Sequence, residues 1–304
     1  MILLVLLYGL LALAFTIGKH ALDYTQPCFL IAFRMLIAGS AMLAYILYKN
    51  RTLRFIYKKD MLLFLQTALF HIYIAYIGEF WALQFITSSK TTLFYSLTPF
   101  ISAVLAYFLF KEKFGGYKIF GMILGFIGVC PMLFMQTDMP EFGAELFRIS
   151  LPEVVLLGAV VSSSYAWFLV KKLMDRGYHL ISINGIAMFI GGILALITSI
   201  IFEIILPVSQ GQSVVVVAEW LPFLQWTFGL ILIANVIGYN LYAFLLQRYT
   251  VTFVSLAGCL CPLFGAFFGW YFLSEKITWH YFASFVLVTI ALFVFYKEEM
   301  NTKV

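Results

Sequence analysis

A carboxylate inside an apolar run is the residue in this sequence that most plainly asks for a chemical role. Glu79 is the sole charge between Met61 and Ser89. An ionised carboxylate near the middle of a bilayer costs at least ~2.5–3.5 kcal/mol on insertion scales, so it faces a cavity or a partner. There it can bind a cationic group on a substrate or take up a coupling proton. A structural partnership with Arg34 or His71, or a helix end lying near the interface, would also account for it. His71 stands eight residues earlier, on roughly the same half of a helix and ~12 Å away along it. It can share a proton route or be hydrogen-bonded in packing. Arg34 is alone in Tyr24–Tyr48. It can grip a carboxylate or phosphate bidentately, pair with Glu79, or snorkel.

Aromatic residues make up 19% of the chain. Those near mid-span (Tyr76, Tyr95, Tyr165, Trp167, Tyr239, Tyr242) can line a cavity that stacks planar or cationic substrates. The other reading places them against lipid or in the interfacial belts. Trp81, beside Glu79, and Asn240 complete the candidate substrate-binding set. Asn240 is the nearest counterpart of Glu79 in the second half of the chain, and it is neutral. One site would then hold a cation without two carboxylates repelling each other. The spans contain no His-x-x-x-His or similar metal spacing and no nucleophile with a base at short spacing. No metal or cofactor is expected. The four cysteines lie in apolar spans and behave there as small hydrophobes.

These side chains need a scaffold that lives in lipid. Hydrophobic residues make up 63% of the chain and charged residues 11%, where a soluble domain carries roughly 25% charged. Eight runs hold no Asp, Glu, Lys or Arg: Met1–Gly18, Thr91–Phe110, Ile119–Thr137, Val154–Val170, Leu180–Phe202, Trp220–Gln247, Tyr249–Ser274 and Ile277–Tyr296. With the two singly charged runs they predict ten transmembrane helices, each near the ~20 residues needed to span hydrocarbon. Barrel strands would alternate apolar and polar residues, whereas these runs are apolar on every face. Met1–Gly18 lacks a positive n-region and a small-x-small cleavage site, so it reads as a first helix rather than a signal peptide. The net charge of +5 gives no reason to expect nucleic acid, because the basic residues fall in short loops.

One stretch occurs twice. Thr98-Pro99 leads through an apolar run to Glu112-Lys113, and Cys261-Pro262 leads likewise to Glu275-Lys276, with thirteen positions from proline to glutamate in both. The offset is 163 residues, which indicates a duplicated half. The prolines are expected to kink their helices. With the N-terminus in the cytoplasm, fourteen Lys and Arg fall in cytoplasmic segments and four on the other side. Such an excess marks the cytoplasmic face, so both termini face in. Five helices per half is an odd number, so the second half must be upside down, a device of secondary transporters. The expected fold is an all-α integral membrane protein of ten transmembrane helices, built as two inverted-topology five-helix repeats. Residues 1–137 form the first repeat, 138–152 an acidic outer linker, and 153–304 the second repeat.

Glu112 is followed by Gly121 and Gly128, nine and sixteen positions on, and Glu275 by Ser284 and Ala291 at the same spacings. In this pattern the chain resembles the EamA-type ten-helix members of the drug/metabolite transporter superfamily, over essentially its whole length. The second copy departs from the glycine pattern, with small residues in place of glycine. The resemblance implies movement of small organic metabolites, amino acids or drugs in export or exchange. Some such proteins in intracellular bacteria import host metabolites such as S-adenosylmethionine. Gly121-x-x-x-Gly125 allows close helix approach, inside the monomer or in a homodimer.

The leading expectation is a secondary active transporter of the inner membrane working by alternating access. Its cargo would be an amine-bearing or cationic metabolite such as an amino acid or an S-adenosylmethionine-like compound. Protons or a counter-transported metabolite would drive it, because no Gly-x-x-x-x-Gly-Lys motif appears. A lipid-linked carrier flippase or a multidrug exporter would share the architecture; the flippase would favour basic groups over one carboxylate. An intramembrane enzyme would need clustered catalytic groups. A channel would need rings of repeated polar residues.

Overall fold

Chain that is apolar on every face can satisfy its backbone in lipid only by closing hydrogen bonds within each segment, and the secondary structure follows that rule. The computed structural model describes residues 2–49, 57–86, 88–111, 115–135, 150–210, 215–273 and 279–301. Seven helices are long and apolar enough to cross a membrane: Ile2–Leu22, Pro27–Tyr48, Lys58–Leu83, Leu151–Asp175, Leu180–Ser209, Trp220–Leu246 and Val251–Phe268. Shorter apolar helices cover Thr98–Leu109, Gly116–Gly128 and Val286–Phe295. Each falls within or overlaps one of the apolar runs. Among the described residues there is no strand, only an isolated bridge between Thr25 and Val217.

In chain order the helices are α1 (Ile2–Leu22), α2 (Pro27–Tyr48), α3 (Lys58–Thr67), α4 (Ala75–Leu83), α5 (Ser88–Tyr95), α6 (Thr98–Phe110), α7 (Gly116–Met135) and α8 (Leu151–Asp175). They continue with α9 (Leu180–Ser199), α10 (Leu206–Ser209), α11 (Trp220–Leu230), α12 (Tyr239–Leu246), α13 (Val251–Leu256), α14 (Cys261–Leu273) and α15 (Trp279–Asn301). A π turn over Ala68–Ile74 joins α3 to α4, and another over Ile231–Gly238 joins α11 to α12. Their starts are 163 residues apart, the offset that also separates Pro99 from Pro262. Pro99 and Pro262 do not bend continuous helices. Each stands in the first turn of a new helical segment, after the break at Ser96-Leu97 and after the 3-10 turn Ala257–Leu260. A proline lacks the N–H that a first turn leaves unused anyway.

The acidic linker ends sooner than residue 152. Pro152 and Glu153 already belong to α8: Ser150 and Glu153 form a capping box, with the Ser150 N–H donating to Glu153 Oε2 at 2.6 Å and its hydroxyl at 2.8 Å. The Ser-x-x-Glu spacing is a helix start signal. Glu112 and Glu275, the repeated acids, and residues 138–149 of the linker lie outside the described residues.

Two helix pairs give the bundle its frame. Helix α2 packs along α9 at a seam of small residues, where a Cβ on Gly39 would come within 2.7 Å of the Phe189 backbone nitrogen. Helix α7 packs along α15, where a Cβ on Gly121 would lie 3.1 Å from the Ala291 carbonyl oxygen. Gly121, after Glu112, and Ala291, after Glu275, thus meet inside the chain.

Polar groups fasten the ends. Cys28 and Phe29, in the first turn of α2, donate their N–H groups to Glu203 at 2.7 and 2.9 Å, and the Ser199 hydroxyl donates to the same carboxylate at 2.7 Å. Asp60, buried at the start of α3, accepts from Arg176 and, at 2.8 Å, from the Tyr178 hydroxyl. Lys19 donates to the carbonyls of Leu83, the last residue of α4, and of Ile86, and Lys171 donates to the carbonyl of Leu246, the last residue of α12, at 2.7 Å. Leu83 and Leu246 are again 163 residues apart. Glu203→Gln keeps the shape but turns an amide toward donors. A loss of about 1.5–3 kcal/mol is expected, the range for hydrogen bonds to a charged group, read as a lower melting temperature in detergent.

Candidate functional site

Helices α4 and α12, which follow the π turns Ala68–Ile74 and Ile231–Gly238 (a third, Ile200–Ile205, leads into α10), carry the residues that meet in the interior. A π turn widens the helix by one residue, so the face presented before it differs from the face after it. Tyr76 lies two residues past the first turn and Tyr239 one residue past the second. Their rings stack with centroids 6.1 Å apart at 28°. Three residues beyond each stand Glu79 and Tyr242.

Between α1, α2, α4, α8 and α12 lies a cavity of about 90 Å³. The α5–α6 break and the 3-10 turn Ala257–Leu260 close it through Tyr95, Thr98 and Gly258. Seven of the eleven candidate residues line it: Arg34, Tyr76, Glu79, Tyr95, Trp167, Tyr239 and Tyr242. Trp167 and Tyr242 form a parallel stack, with centroids 3.7 Å apart at 12°. Trp167 also leans on Tyr239 at 5.4 Å. Aromatic rings thus form a large part of the wall.

Two charges interrupt it. Glu79, only 6% exposed, accepts a hydrogen bond from the Tyr95 hydroxyl. Phe15 supports that tyrosine from behind at 5.1 Å. Arg34, 1% exposed, has its guanidinium carbon 4.3 Å from the Tyr76 ring centroid and 4.7 Å from that of Phe80. No ion pair joins Arg34 to Glu79. The carboxylate is tied to a neutral phenol instead, and both charges keep binding capacity.

The other four candidates lie elsewhere. His71 sits within the first π turn, behind the aromatic wall, with its ring 4.4 Å from Trp167 and 4.7 Å from Tyr239. Both its ring nitrogens are buried without a hydrogen-bond partner. Tyr165 packs edge-on against Phe70 at 5.3 Å, and Trp81 against Phe85 at 5.0 Å. Asn240 accepts from Asn184 at 3.2 Å and donates to Val236 O at 2.8 Å. At the offset of the π turns it is Tyr242, not Asn240, that corresponds to Glu79. The chain also brings Tyr8, Phe15 and Ser163 to the cavity, residues not picked out as binding candidates from their sequence. Tyr8 fixes the 3-10 turn's approach by donating to Val254 O at 2.8 Å.

Comparison with known proteins matches this architecture to a transporter family. The family model described as the EamA-like transporter family covers residues 1–134 and 151–297. The chain belongs to the EamA-like transporter family. It is 32% identical over 267 residues to a protein of Chlamydia muridarum named S-adenosylmethionine/S-adenosylhomocysteine transporter, a match covering 86% of this chain and 80% of that one. The protein of the same name in Chlamydia trachomatis serovar L2 is 33% identical over 86% of this chain and 78% of its own length. The uncharacterized transporter YoaV of Bacillus subtilis is 24% identical over 95% and 92%. A crystal structure superposes on the whole chain with a TM-score of 0.73 at 15% identity, covering 97% of that chain, a likeness of fold. As an EamA-like transporter the chain is an integral membrane protein. Its cavity brings buried rings together with one carboxylate and one guanidinium.

Proposed function

We propose that this EamA-like protein is a secondary active transporter of the inner membrane that carries a small amine-bearing metabolite of the S-adenosylmethionine type by alternating access. The observation that carries the reading is Glu79, a carboxylate held by Tyr95 in a cavity that also presents the rings of Tyr76, Trp167, Tyr239 and Tyr242. A dry carboxylate attracts a cation strongly, and aromatic faces add to its hold on one. The names borne by the two chlamydial relatives favour the same class of cargo. Arg34, Tyr76, Tyr95, Trp167, Tyr239 and Tyr242 complete the proposed site.

The reading includes ten crossings in two oppositely oriented repeats, 1–137 and 153–304, joined by 138–152, with both termini cytoplasmic. The 163-residue spacing of the π turns, the stacked tyrosines and the helix breaks supports it. Similar halves exchanged across the midplane give inward- and outward-open states. Exchange for a related metabolite, or proton coupling, would supply the energy.

The test is counterflow in proteoliposomes. Vesicles loaded with unlabelled S-adenosylhomocysteine should take up labelled S-adenosylmethionine faster than empty ones, and lysine-like amines should compete where dicarboxylates do not. Uptake of simple dicarboxylates with no competition from any amine would overturn the proposal.

A further inference from the structure

The guanidinium of Arg34 has atoms that the fold does not use. Its carbon lies over two ring faces, Tyr76 at 4.3 Å and Phe80 at 4.7 Å. Contacts with ring faces hold the cation but give its N–H groups no oxygen acceptor. Along one edge of the group, Nε and Nη2 are buried and have no hydrogen-bond partner. These two nitrogens form the side-on fork, whose parallel N–H bonds match the two oxygens of a carboxylate. An uncompensated buried cation is costly unless an anion reaches it, and Glu79 forms no ion pair with it.

We infer that Arg34 is the anchor for a substrate carboxylate, so that the cavity reads a zwitterionic amino-acid head, with the carboxylate on the Arg34 fork and the amine on Glu79. The inference rests on the transport reading above and sharpens its substrate class. Tyr76 and Phe80 hold the fork in place, which reduces the freedom lost when a ligand binds. The rings of Trp167, Tyr239 and Tyr242 then remain for the planar or sulfonium part of the cargo. An amine lacking the carboxylate meets Glu79 but leaves the fork unpaired, and that is the basis of discrimination. A site that hydrogen-bonds a polar group rejects the analogue lacking it because its own buried partner stays unsatisfied.

Matched pairs differing only in the carboxylate test this in the full-length protein in nanodiscs. Binding is compared for S-adenosylmethionine and its decarboxylated form, for methionine and 3-methylthiopropylamine, and for lysine and cadaverine. In wild type the carboxylate-bearing member of a pair should bind about 10- to 100-fold tighter, the range of hydrogen bonds to a charged group. In Arg34→Gln that ratio should fall to near one. Arg34→Lys, which keeps the charge and loses the fork, should keep only a small part of it. Equal binding of both members in wild type overturns the carboxylate anchor while leaving an amine transporter standing, and that result needs no variant to fold. Binding of neither member of any pair overturns the transport reading and the anchor with it. A ratio that persists in a folded Arg34→Gln assigns the carboxylate to another group and also overturns the anchor.

Discussion

Glu79→Gln is expected to lower affinity for an amine-bearing substrate by about 30-fold or more and to reduce uptake in proportion. The substitution keeps the side chain's shape, and its amide oxygen still accepts from the Tyr95 hydroxyl that now meets the carboxylate. What it removes is the negative charge. Leaving a buried charge on the ligand without its partner costs roughly 2–5 kcal/mol. The folded protein should be no less stable, because a carboxylate in hydrocarbon is itself unfavourable by ~2.5–3.5 kcal/mol. Two readouts therefore separate binding from structure: equilibrium binding falls, and the melting temperature of the unliganded protein holds or rises. Tyr95→Phe is the companion variant. It keeps the charge, frees one of its lone pairs, and should retain most of the affinity. Unchanged uptake in Glu79→Gln would remove the carboxylate from the binding site.

Gly39→Val is expected to cost at least about 3 kcal/mol, the upper end of the usual penalty for overpacking. The atoms that a new Cβ would meet are backbone: Phe189 N at 2.7 Å, Gly185 O at 3.0 Å and Phe189 Cα at 3.0 Å. A flexible side chain could swing aside, whereas here two helix backbones would have to part along their length. Parting α2 from α9 would also displace Arg34 and loosen the Glu203 contacts at the end of α2. The expected result is low yield of folded protein and early unfolding in detergent. Gly158→Ala and Gly229→Ala are the controls. Nothing lies within 4 Å of a Cβ at either position, and alanine favours the helix by up to ~1 kcal/mol. Wild-type melting in Gly39→Val would show that the seam is looser than its contacts indicate.

Much of the scaffold was legible because a bilayer leaves few choices. Apolar runs of helical length, bounded by charges, mark the helices with an error of a few residues at their ends. Leu151 and Pro152, in the first turn of α8, fall in the expected linker because charge marks the boundary less sharply than the Ser150-x-x-Glu153 spacing does. Glu79, Arg34 and the tyrosines of the cavity were legible because a charge or hydroxyl in hydrocarbon must be turned inward. His71 was not. Its eight-residue spacing to Glu79 implies a shared face only in an unbroken α-helix, and the π turn over Ala68–Ile74 lies between them. Nothing in the local sequence announces that turn. Tyr165, Trp81 and Asn240 show the same limit from another side. A run apolar all round has no periodicity from which to choose the face that meets the cavity. Tyr8 and Phe15 of α1 reach the cavity through the packing of distant helices, which local sequence does not encode.

The seam between α2 and α9 also has a history in time. Helix α2 is complete at Tyr48, and α9 begins only at Leu180. At ordinary rates of translation the ribosome takes roughly 7–30 s to bridge that interval. Throughout it, Gly39 has no α9 backbone to approach, and the α2 N–H groups that will later meet Glu203 have no carboxylate. The first helices must therefore be kept in the membrane as a provisional assembly, with a buried arginine whose cavity still lacks its α8 and α12 walls. Birth order, as much as final geometry, is written into this seam: a chain cut short before Leu180 should be recognised as unfinished and degraded, however well its first helices insert.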